Sequence, residues 1–199
     1  MLANYSIRAK LATVVGFLLL VMTGIGLLAA GNMRAINANT VEISGHWLPS
    51  VRVLGDLRAG TITYRNVIRE HLLSETLDEK LAAEKTLAAV VEANAGTRAA
   101  YERMIASPEE RALHDEWSRT WDKYRRGTQE VMELSRNAAG QIPTEANDLN
   151  STTVNKIGLQ ADVVLRKSSD LNNAGAGKAW QDAAVNYAFD FTLLAGIIA

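Results

Sequence analysis

The chain has no cysteine, only three prolines, and no stretch in which β-branched residues alternate with polar ones. Without cysteine the fold contains no disulfide. An oxidising compartment permits such bridges without requiring them, so location stays open. The scarcity of proline and the missing period-two pattern exclude a β architecture and leave long helices. No large charge of one sign is present either. Lys and Arg number 21, Asp and Glu 22, and the net charge is −1, which excludes a nucleic-acid surface. No nucleophile–base arrangement, phosphate loop or paired-carboxylate motif occurs, so neither catalysis nor a cofactor is expected.

What the chain does have is one long apolar run, Leu11–Ala30, in which Thr13 and Thr23 carry the only polar side chains. A hydrocarbon core of about 30 Å is spanned by about twenty apolar helical residues. A secretory signal is the competing reading, because Arg8 and Lys10 precede the run and Leu28-Ala29-Ala30 offers small residues. The apolar part of a signal is usually only about 7–15 residues, which favours an uncleaved membrane anchor. Near the other end Phe191–Ala199 turns apolar again, and is expected to begin a second transmembrane helix that the chain does not complete. Arg8, Lys10 and the terminal amine precede the first span and only Arg34 closely follows it. This charge bias places the N-terminus in the cytoplasm and the insert outside. The expected organisation is a cytoplasmic N-terminus over 1–10, a transmembrane helix over 11–30, an extracytoplasmic domain over 31–186, and the start of a second span over 187–199.

Within the insert, apolar residues recur at steps of three and four. A first soluble helix is predicted from about Gly31 to Ser74, with Trp47, Val51, Leu54, Arg58, Thr61, Arg65, Ile68 and Leu72 on one stripe. Pro49 falls inside it and should bend or break it locally, since proline lacks an amide donor. Ser74-Glu75-Thr76 forms a polar tip. A second helix covers roughly Leu77 to Ala106. Ser107-Pro108-Glu109-Glu110 then combines a cap, a proline at the first helical position and a capping box. A third helix follows to about Asn137 with Leu113, Trp117, Trp121, Tyr124, Val131 and Leu134 inward. A fourth starts near Pro143-Thr144 with Leu149, Thr153, Ile157, Val164 and Leu171 inward. Four helices with short connections give an all-α, antiparallel up-down-up-down four-helix bundle continuous with transmembrane helices.

Three stretches carry a resemblance: Ser6-Ile7-Arg8-Ala9-Lys10-Leu11 before the first span, His46-Trp47-Leu48-Pro49-Ser50 after it, and Thr63-Tyr64-Arg65-Asn66-Val67-Ile68-Arg69 further along the first soluble helix. With the architecture, they resemble the four-helix-bundle sensor domain of methyl-accepting chemotaxis proteins, the bacterial transmembrane chemoreceptors. The resemblance covers essentially the whole chain. It implies a homodimer in the inner (cell) membrane with a periplasmic sensor domain, a ligand site between helices near the distal end, and a cytoplasmic signalling region. The expected function is then chemotaxis signal transduction, with ligand binding passed inward as a helix displacement. The same module also precedes histidine kinases and diguanylate cyclases, and a structural bundle with no small ligand is a further alternative.

Arg65 and Arg69 lie one helical turn apart, with Arg58 and Thr61 on the same side. The planar fork of arginine matches a carboxylate in two-point geometry. The resemblance adds that amino-acid-sensing members carry arginines four apart here, matched by Arg65 and Arg69. Those members have another arginine about one turn earlier, where this chain has Gly60, with Arg58 close but out of step. Arg65 lies about 35 residues past the first span, roughly 52 Å along a helix. The same distance back from Asn186 reaches Ser151-Thr152-Thr153, with Asn147 and Asn150 nearby. The candidate ligand residues are therefore Arg58, Thr61, Arg65, Arg69, Thr152 and Thr153, for a small molecule such as a carboxylate. Trp117, Trp121 and Tyr124 read as bundle core. His46, His71 and His114 fall on different helices or levels, so no metal or haem site is expected.

Overall fold

The structure is a computed structural model that describes residues 6–198, with side chains at 190, 191 and 193–198 outside the description. Among the described residues it is all helix, without a strand. The elements are α1 (Ile7–Glu42), a π-helical turn (Ile43–Trp47), α2 (Leu48–Leu73), α3 (Leu77–Glu102), α4 (Pro108–Asn137), α5 (Thr144–Leu149), a second π-helical turn (Asn150–Val154) and α6 (Asn155–Ile198). They divide into two compact units, Met1–Gly45 with Ala176–Ala199, and His46–Gly175.

In the first unit, Ser6 caps α1 by accepting from the Ala9 amide at 3.3 Å. No residue of α1 is buried, and Leu11, Phe17, Leu20 and Leu27 lie exposed on it. This helix is long and apolar enough to cross a membrane. The hydroxyls of Thr13 and Thr23 donate to the carbonyls of Ala9 (2.9 Å) and Leu19 (2.7 Å), so the two polar groups of the run are satisfied within the helix itself. Most of the apolar C-terminal run, 191–199, falls on side chains outside the described residues, and Ala199 lies outside them altogether.

The second unit is a four-helix bundle made by α2, α3, α4 and the α5–α6 segment. Both internal helix starts carry a full capping box, Thr76 with Glu79 on α3 and Ser107 with Glu110 on α4. The core joins Leu54, Leu57 and Ile68 of α2 to Leu87 of α3, Val131 of α4 and Leu165 of α6. Aromatic rings fill its centre. Trp117 and Trp121 stack at 5.8 Å, and Tyr64 meets Trp121 and Tyr124 edge-on at 4.9 and 5.4 Å. The expected Trp117, Trp121 and Tyr124 core is thus present, with Leu113 and Leu134 at its margin.

Two details depart from the periodicity. Pro49 falls in the first turn of α2, directly after the π-helical turn, and does not break the helix. The departure from α geometry precedes it, in the π-helical turn. On the fourth helix, Thr153 is exposed and Val154 takes the inward place. A π-helical turn carries an extra residue per turn, which moves every later side chain one position around the axis. Gly127 of α4 makes room for the result, since a Cβ there would stand 2.9 Å from a Val154 methyl.

Candidate functional site

The candidate residues of α2 divide by environment. Thr61 is buried, and its hydroxyl donates to the Leu57 carbonyl at 3.0 Å, so it is turned into its own helix. Arg58 is committed within the chain: its Nε donates to Oδ1 of Asp162 on α6 at 2.7 Å. Arg166 approaches the other oxygen of the same carboxylate at 3.6 Å. The Asp162 hydrogen bond and its charge hold the Arg58 pKa above its ordinary value, against a smaller opposing effect of desolvation. Asp162 is the residue that sequence spacing missed, because 104 positions separate it from Arg58.

Arg65 is different. Its guanidinium atoms Nε and Nη1 are enclosed and have no hydrogen-bond partner. Enclosed donors without acceptors are costly, by about 1–3 kcal/mol and more for a charged group. The group beside it is the buried Tyr124 hydroxyl. Burial raises that pKa, the neighbouring Tyr64 adds to the rise, and the charge of Arg65 opposes it. Arg69, one turn on, is exposed and acts on Tyr124 more weakly. It borders an open hollow of about 770 Å³ shared with Glu70, Glu75 and Glu79.

Thr152 and Thr153 sit on the second π-helical turn, both exposed. The Thr152 hydroxyl donates to the Asp148 carbonyl at 2.6 Å and lies 3.4 Å from the Thr153 hydroxyl. Among the described residues no hydrogen bond joins either threonine to Arg65 or Arg69. The charges of Arg65 and Arg69 therefore both reach the Tyr124 hydroxyl, while Arg58 is tied to Asp162 instead. At the Gly60 level, the place of the missing arginine is filled from α3: a Cβ on Gly60 would stand 1.7 Å from Oδ1 of Asn94. A side chain of any size is excluded there while Asn94 holds its position.

The histidines do not converge. His71 contacts Glu84 at 3.0 Å, and His114 contacts Asp115 at 3.4 Å. Two further features had no local sequence signal. One is Lys80, fully buried, with Nζ donating to the His71 carbonyl and to Ser135 Oγ, both at 2.9 Å. Its position three and seven residues before Ala83 and Leu87 puts it on their inward face, which is the one clue available. The other is a cleft of about 300 Å³ bordered by Tyr64, Glu84, Leu87, Val91, Arg125 and Met132.

Comparison with known proteins gives one match. A family model described as a four helix bundle sensory module for signal transduction covers residues 4–187. No curated protein and no solved structure matches the chain. The match takes in α2 to α5 whole and agrees with the bundle that they form with α6, so the chain belongs to the family of four-helix-bundle sensory modules for signal transduction.

Proposed function

We propose that the chain is the ligand-sensing segment of a bacterial transmembrane chemoreceptor, with α1 crossing the inner (cell) membrane and the bundle on its outer, periplasmic side. The exposed apolar face of α1 and the basic residues Arg8 and Lys10 before it support that placement. Helical conformation runs along the chain from Ile7 to Leu73. An up-down-up-down course is supported by the 2.8 Å hydrogen bond from the Gly140 amide to the Glu75 carbonyl, which joins the turn after α4 to the turn after α2. Such a segment acts by binding and not by catalysis. Occupancy biases signalling only if the ligand has different affinity for two arrangements of the helices, one of them displaced.

The observation that carries a ligand role is the pair of enclosed, unpartnered nitrogens on Arg65. A small carboxylate would satisfy them, with Arg69 as a second, more exposed cation and Thr152 or Thr153 orienting it. The homodimer is part of the same reading, with α2 facing its counterpart and a shared site near Arg65. Arg58, being paired with Asp162, contributes the edge of the site and not its charge. Because the family is defined by signal transduction and not by one output, a histidine kinase or diguanylate cyclase is the second reading. The output domain encoded by the gene decides between them.

The test is calorimetric titration of the full chain in lipid nanodiscs, using a carboxylate found by thermal-shift screening of metabolites. A charge-assisted hydrogen bond contributes about 1.5–3 kcal/mol, so Arg65→Ala should weaken binding about ten- to a hundredfold. Arg65→Lys should not restore it fully, since an ammonium lacks the fork. Unchanged affinity in both Arg65→Ala and Arg69→Ala would remove the site from α2.

A further inference from the structure

The cleft of about 300 Å³ lies beside α3 and α4, with Tyr64 of α2 also lining it. Arg65 and Arg69 do not border it. Its volume falls at the small end of the range for small-molecule pockets, about 300–1,000 Å³, and far below what a peptide needs. The lining is polarised. Leu87, Val91 and Met132 supply apolar contact, and the buried Tyr64 lies against the same space. Arg125 stands on the wall, close enough for its charge to act on the Tyr64 hydroxyl. Among the described residues no carboxylate lies within ion-pair distance of Arg125, so its fork is available.

Glu84 provides the opposite sign, and it is not free to move. Its Oε1 meets His71 Nε2 at 3.0 Å, and its Oε2 accepts from Arg136 Nη1 at 3.3 Å. The Glu84 carboxylate fixed in this way lines the cleft, and its pairing with Arg136 leaves no cation there for a second ligand carboxylate. A ligand whose one carboxylate reaches Arg125 is therefore admitted, while a dianion that also approaches Glu84 is repelled. We infer that this cleft binds a small monocarboxylate, its carboxylate held by the Arg125 guanidinium and its unbranched apolar body laid on Leu87, Val91 and Met132. Its lining side chains come from α3 and α4 as well as α2, so its occupancy would bear on the packing of helices other than the one that carries Arg65. The inference stands whether or not Arg65 binds a ligand.

The experiment titrates the full chain in nanodiscs with butyrate and hexanoate as probes and succinate as the dicarboxylate control, followed by calorimetry. Saturable binding of at least one monocarboxylate is expected, with hexanoate tighter than butyrate and succinate not bound. Arg125→Gln should weaken binding about tenfold or more at an unchanged melting temperature, because Arg125 is partly exposed and in no ion pair. Val91→Trp, which fills the cleft from its rim, should abolish binding, and Arg65→Ala should leave it unchanged. Glu84→Gln should admit succinate. Absence of monocarboxylate binding up to about 20 mM would overturn the proposal, since that limit lies about twentyfold beyond a 1 mM dissociation constant, already weak for a ligand site. Undiminished binding in Arg125→Gln would also overturn it, as would loss in Arg65→Ala, which would assign the signal to α2 instead.

Discussion

Two groups of buried polar residues tie the bundle together, and they are built on opposite plans. Around Lys80 most polar atoms find partners: the ammonium bonds the His71 carbonyl and Ser135, His71 Nε2 meets Glu84, and Arg136 bonds Glu84 from the far side, leaving only His71 Nδ1 enclosed without one. That network joins α2, α3 and α4. Around Tyr101 the pairing is incomplete. Its hydroxyl stands 3.5 Å from Asn172 Nδ2, yet Glu110 Oε1, His114 Nε2 and Asn172 Oδ1 are enclosed without partners. Burial, and after it the charge of Glu110, pushes the Tyr101 hydroxyl to about 12. The more completely a buried polar network is satisfied, the more it rigidifies and specifies one arrangement of its helices. The difference teaches that the buried polar groups joining α3 and α4 to α2 are more fully paired than those joining them to α6.

The strongest way to break the comparison is Lys80→Ala. It removes a buried aliphatic stem together with a donor to two acceptors, and should cost about 3 kcal/mol in denaturant unfolding of the full chain. Lys80→Met keeps the volume, and the Ser135 hydroxyl lies 3.5 Å from the His71 carbonyl, ready to donate to it. That variant should stay within about 1 kcal/mol of the parent, because a buried charge replaced by an apolar group of like size is often neutral. If Met proves as damaging as Ala, the ammonium itself holds the network.

A smaller effect comes from pH. Burial depresses the His71 pKa below its ordinary 6.5, opposed by Glu84, while Lys80 and Arg136 depress it further. A depressed value means that the folded state prefers the neutral ring. The stability this provides is fully present above 6.5 and is lost as pH falls through the lower folded value. Melting temperatures between pH 7.5 and about 5 should fall for the parent and less for His71→Gln. Glu84→Gln should move the fall to still lower pH, followed by the His71 ring signal in NMR. A His71 titration above 6.5 would reverse the assignment.

The smallest effect is expected in the second group. Glu110 Oε2 accepts from the Ala106 and Ser107 amides at 2.9 and 3.1 Å, while its Oε1 has no partner. Glu110→Gln keeps a cap acceptor and removes an enclosed charge, so stability should change by less than about 0.5 kcal/mol. A loss comparable to that of Lys80→Ala would show the two groups to be equally tight.

Much of this was legible without coordinates where the cause is local. A twenty-residue apolar run, a Ser-Pro-Glu-Glu helix start and an aromatic stripe at steps of four and three each act through neighbours a few positions away. Leu77, Pro108 and Thr144 begin their helices where the caps and prolines require. What stayed hidden depends on partners that chain distance cannot bring together. The Arg58–Asp162 pair, the Lys80 network and the Arg125 cleft each join different helices. The inward turn of Val154 in place of Thr153 arises from a single added residue in a π-helical turn, which no propensity marks and which close packing on Gly127 accompanies. Sequence alone determined the helices, where the capped ones begin, and the apolar run, because hydrogen bonding and periodicity operate over a few residues. The expected end of the second soluble helix at Ala106 falls four residues past the observed Glu102. Tertiary structure alone decided which arginine is paired and which is left unpartnered, because a buried charge takes its meaning from whatever helix happens to face it.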